Sequence, residues 1–134
     1  TYVPDPDGIP MAILPVCDHY DPPVPIDLVA FTFAEPWRWW TRTGMAPVIN
    51  AAAVTDAWWD KRPLLVSGTP LDWLRAGCEG VVVLDWQPST VALHLGNARR
   101  LITSSPEVAE RLARVFKHDV EPPEVRLAEM SNAA

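Results

Sequence analysis

Three short joints hold most of the side chains that could bind or transform a ligand. They are Ser67-Gly68-Thr69-Pro70, Asp85-Trp86-Gln87-Pro88 and Thr103-Ser104-Ser105-Pro106. Each follows an apolar run and opens a helix-forming stretch. Free backbone N–H groups at a helix start favour anions. Ser67, Gly68, Thr69, Ser104 and Ser105 are therefore candidates to hold a phosphate or carboxylate. The same hydroxyls serve equally well as helix caps. The single glycine in the first joint matches neither G-x-G-x-x-G nor G-x-x-x-x-G-K-[ST]. Asp85 is the only acid ending a buried strand, which makes it the best residue for metal binding or acid–base work. A lone carboxylate is a poor metal site, and a hydrogen bond within its own turn would also explain it.

The segment Trp37-Arg38-Trp39-Trp40-Thr41-Arg42-Thr43 is the most unusual in the chain. Read as a helix over 36–44, it puts Arg38 and Arg42 on one face, Trp37 and Trp40 on another, and Trp39 elsewhere. One short helix cannot bury three indoles, so at least one should meet another part of the chain or a partner. Alternating Trp and Arg could also stack on single-stranded bases. The plainer expectation is that Trp37 and Trp40 are core. Trp58 and Trp59 end a second helical stretch beside Asp60, Lys61 and Arg62, with one indole expected to pack inward. Trp37, Arg38, Trp39, Arg42 and Trp59 are the candidate interaction residues.

Other reactive groups are scattered. Cys17-Asp18-His19 offers three ligand types, but no second cluster completes a zinc site. His94 and His118 fall in no Ser/His/Asp or Cys/His arrangement. G-x-S-x-G and H-E-x-x-H are absent. Cys17 and Cys78 fit no CxxC pattern and read as reduced thiols. No catalytic residue, metal or cofactor is expected.

The elements that must position these groups alternate along the chain. Strands are expected at 26–33, 47–50, 64–67, 81–86 and 101–103. Helices are expected at 36–44, 51–60, 70–76, 88–95 and 106–117. The run 81–86 is continuously apolar, as in a strand buried on both faces. Pro70, Pro88 and Pro106 recur every 18 residues, each where a helix tolerates a missing N–H. Thr69 and Ser105 precede two of them at the N-cap position. Glycines 44, 77 and 96 fall where helices should stop. Glu107–Arg111 and Glu110–Arg114 are expected as i,i+4 ion pairs on the last helix.

Repeated strand–joint–helix units predict an α/β fold with a small, mostly parallel sheet of about four or five short strands flanked by helices. Residues 1–25 contain Pro4, Pro6, Pro10, Pro15, Pro22, Pro23 and Pro25 and read as an extended arm, apolar enough at 11–16 to form an edge strand. Residues 26–117 form the domain. Residues 118–134 read as an acidic tail with a helical turn at 125–130.

A chain of 134 residues with 49% hydrophobic residues is enough for one core. A net charge of −6 gives no long-range attraction to phosphate backbones, so nucleic acid is the least expected partner. No apolar run is long enough to span a bilayer. The chain begins at Thr1 without a secretory signal, which reads as a trimmed piece of a longer cytoplasmic polypeptide. The expectation is a non-catalytic domain that docks to protein, or to its own copies. A small-anion or weakly enzymatic site at the strand ends is the alternative, and an accessory role in nucleic-acid processing the second.

Overall fold

The computed structural model describes residues 8–18, 22–117 and 122–128. The segments 1–7, 19–21, 118–121 and 129–134 lie outside the described residues, so His19, His118 and much of the expected arm and tail do too. In chain order the elements are β1 (Ala12–Cys17), β2 (Pro25–Phe31), β3 (Trp39–Thr41), β4 (Val48–Ile49) and α1 (Ala52–Trp59). They continue with β5 (Leu64–Ser67), α2 (Pro70–Arg75), β6 (Val81–Val83), α3 (Pro88–Leu95), β7 (Arg100–Thr103), α4 (Pro106–Val115) and β8 (Glu124–Leu127).

A five-stranded sheet runs in the order β4-β6-β5-β7-β8. β5 pairs parallel with β6 and β7, and β7 parallel with β8, while β4 runs antiparallel to β6. This is the α/β architecture the proline spacing predicts. Pro70, Pro88 and Pro106 each open a helix. Thr69 and Ser105 cap two of them, accepting from the N–H groups of Asp72 at 3.1 Å and Val108 at 3.3 Å. α2 ends at Gly77 with φ +70°; Gly77 N–H reaches the Leu74 carbonyl and Cys78 N–H that of Trp73. That pair of bonds satisfies the last carbonyls of the helix. α3 forms despite its β-branched residues because Val91 and Leu95 are fully buried. Packing supplies what propensity lacks.

The layers follow from the pleat of β6, where alternate residues point to opposite faces. Val81 and Val83 join Val54, Leu95, Leu112 and Phe116, so α1, α3 and α4 cover one face. Val82 joins Val16, Val29 and Ile49, with Trp39 and Trp73 against them. The other face therefore carries α2 and a second sheet of three antiparallel strands, β1-β2-β3.

The two sheets correct two expectations and meet a third. Within 1–25, Ala12–Cys17 is the edge strand that the apolar residues 11–16 allow, paired along its length with β2. No helix forms at 36–44: a turn follows Pro36 and then β3 pairs with β2. Two adjacent indoles and Thr41 favour a pleated, half-buried surface, and β2 offers an edge. At the other end, 124–127 is strand β8 beside β7 instead of a helical turn in a tail. Met130 lies outside the described residues.

Asp27 ties the second sheet to its loop. Its buried carboxylate accepts from the N–H groups of Leu28 and Thr43 at 2.8 Å and Ala46 at 3.3 Å. Burial pushes its pKa up. Backbone donation from Thr43, Leu28 and Ala46, with the Thr43 hydroxyl, outweighs this and holds it at about 2.

Candidate functional site

β5 is the centre of the parallel sheet and the point where the chain changes direction. From β5 the chain turns through α2 to β6 on one side; from β7 it turns through α4 to β8 on the other. Joints that diverge from adjacent strands leave a crevice at their carboxyl ends, where open α/β sheets bind ligands. Here the two joints meet closely enough that a Cβ added to Gly68 would lie 3.6 Å from Ser105 Cβ.

A cleft of about 570 Å³ opens at this point. Gly68, Thr69 and Ser105 form its floor, and Trp37, Trp39 and Trp86 its aromatic walls. It thus joins residues from both candidate sets, the strand-end joints and the Trp segment. Trp39 points inward from β3, half-buried against the second core. Trp37 stands at the rim, 63% exposed. Trp86 supports the Arg111 guanidinium, whose carbon sits 5.2 Å from the ring centroid. Arg111 makes this contact in place of the expected pair with Glu107; Glu110–Arg114 does form, at 3.7 Å. Among the described residues Arg111 has no carboxylate partner, so its fork of donors is open to one.

The remaining candidates lie outside the cleft lining. Ser67 is buried at the end of β5. Ser104 is exposed in the joint. Asp85 is exposed and accepts from Gln87 N–H at 3.0 Å, the local turn bond that needs no ligand. Arg38 is held by Glu35 at 3.1 Å and lies over Trp40; Arg42 is exposed at the end of β3. Trp58 and Trp59 are both exposed and meet edge to face at 4.9 Å, because Val54 and Ala57 carry the core side of α1. Cys17 and Cys78 are free thiols. No group of three metal-ligating side chains occurs among the described residues, and no helix there is long and apolar enough to cross a membrane.

The second sheet also leaves an apolar face open. Ile13, Ala30 and Trp40 align across its three strands, on the side that an antiparallel sheet usually gives to polar residues. Ile13 is 58% and Trp40 49% exposed. Sequence reasoning missed this row because it placed Trp40 on a helix. It missed Arg111 because an acid four residues earlier offered a simpler partner.

The chain matches no known family, no curated protein and no solved structure.

Proposed function

We propose that this chain is a non-catalytic binding domain that seats a protein partner in the cleft between the β5 and β7 joints. One observation carries the reading: three indoles and an arginine with no ion pair among the described residues line a single cleft at the switch point of the sheet, with Asp72 and Glu107 also in its lining. Trp and Arg supply most of the energy in protein interfaces, because each offers large contact area with a directional polar group. The partner this favours inserts an apolar side chain between Trp37 and Trp86 and gives a carboxylate to Arg111. The apolar row on the second sheet supports the same reading, since exposed patches of this kind mark contact surfaces.

The hydroxyls of Thr69 and Ser105 already accept cap bonds, which weighs against a reactive or anion-binding rim there. Arg38 is engaged by Glu35, which weighs against a nucleic-acid role for the Trp segment.

Selection from a displayed random-peptide library tests the proposal. Peptides selected by the wild-type chain should bind Trp37→Ala and Arg111→Ala roughly 30-fold more weakly, about 2 kcal/mol each. Trp59→Ala, outside the cleft, should bind as wild type. Peptides indifferent to both cleft substitutions would remove the reading.

A further inference from the structure

A second cavity lies at the opposite edge of the parallel sheet, where β5 and β7 begin. Leu64 of β5 pairs with Leu101 of β7. The residues just ahead of this register pair are therefore neighbours, and each side carries a basic pair there. Lys61-Arg62 leads into β5 and Arg99-Arg100 into β7. All four line a cavity of about 60 Å³, walled by Trp58 and Ala57. Four of the chain's 11 cations thus converge on one cavity of a protein whose net charge is −6.

Only Arg62 is neutralised, by Asp60 at 3.4 Å. Lys61, Arg99 and Arg100 have no carboxylate partner among the described residues. The C-termini of α1 and α3 point toward this edge, and each contributes about half a negative charge. After both helix ends and Asp60 are counted, about two positive charges remain unanswered in one small space. Arg99 is also steadied over the Trp58 ring, 6.0 Å from its centroid.

We propose that this cavity binds the phosphate group of a small phosphate monoester, such as a mononucleotide. A carboxylate brings one charge and two oxygens; a phosphate monoester brings about −1.5 to −2 and three acceptor oxygens. The second matches the unanswered charge. Arginine forks bind such oxygens in pairs. The size admits one such group. Trp58, 44% exposed in the cavity wall, offers a surface for a flat ring, and Trp59 meets it edge to face. A nucleic-acid strand fits less well. Its further phosphates would lie on a surface that includes Asp56, Asp60 and Glu79, all exposed. This site is independent of the cleft between the joints.

The test is a tryptophan-fluorescence titration of the whole chain with sodium phosphate, AMP and a short single-stranded oligonucleotide, each against sodium chloride at matched ionic strength. Saturable quenching is expected with phosphate and, more tightly, with AMP. Arg100→Gln and Arg99→Gln, both at exposed positions, should each weaken it at least 10-fold while leaving the circular dichroism spectrum unchanged. Three outcomes overturn the proposal: no saturable change beyond chloride, binding unaffected by either substitution, or tight binding of the oligonucleotide without binding of AMP.

Discussion

The two sheets of this protein are held in opposite ways. The five-stranded sheet is fixed from inside: Val66, Val81, Val82 and Leu101 are fully buried, with helices over one face and α2 and the second sheet over the other. The three-stranded sheet is covered on one face only. It depends on a small shared core at Val16, Val29 and Val82 and on one carboxylate, Asp27, that gathers its loop. The difference separates support from contact. The buried sheet sets where the joints fall, and the half-covered sheet brings Trp37 and Trp39 over them with Trp40 and Ile13 still open to a partner.

The comparison breaks most readily at Gly80, inside the well-covered half. Gly80 has φ +74°, and an added Cβ would run into the Leu65 carbonyl oxygen, with Leu65 Cβ at 2.8 Å. Its own carbonyl accepts from Asn50 Nδ2 at 2.9 Å and Trp73 Nε1 at 3.0 Å. Gly80→Ala should cost at least about 3 kcal/mol, combining left-handed strain with backbone overpacking. Urea unfolding would measure this. A loss below about 1 kcal/mol would mean that the two halves tolerate error alike.

Asp27→Asn tests the other half and should cost about 2 kcal/mol, because charge-assisted bonds from three backbone donors are weakened. The sign of its pH dependence follows from the lowered pKa. Folding moves Asp27 from 3.8 to about 2, so its contribution is complete above about pH 4 and is lost as pH falls through about 2. Wild type should lose this increment across that window and Asp27→Asn should not. Amide exchange should show residues 25–46 opening first in the variant. Equal opening in the five-stranded sheet would mean that the carboxylate supports both halves.

How much could be read in advance follows how local each signal is. The proline-opened helices and the strand at 64–67 were legible because buried apolar runs and caps are local signals; the strand expected at 81–86 stops at Val83, which leaves Asp85 beyond its end. β3 was not. Trp39-Trp40-Thr41 makes a strand only because β2 lies beside it, and three residues hold too short a period to tell helix from strand. β8 was hidden likewise among acids and prolines, since its pairing with β7 is its main support. The joints were visible as candidates. Their meeting with Trp37, Trp86 and Arg111 required strand order, as did the adjacency of the two basic pairs, 38 residues apart at Arg62 and Arg100.

Lys61 gives the smallest effect and the finest distinction. α1 ends like α2: Lys61 N–H reaches the Trp58 carbonyl and Arg62 N–H that of Ala57. α2 places Gly77 at the left-handed position, whereas α1 places Lys61 there, at φ 55°. A side chain at such a position is strained by about 1–2 kcal/mol, and glycine returns part of that gain through a more flexible unfolded chain. Lys61→Gly should therefore stabilise the fold by about 0.5–1 kcal/mol and raise Tm by roughly 2–4 °C. It also removes one cation from the basic cavity, so phosphate should bind more weakly to the more stable variant. A rise in Tm with unchanged phosphate binding would show that Lys61 only closes the helix. A fall in Tm would show that its charge at the α1 C-terminus outweighs its backbone strain.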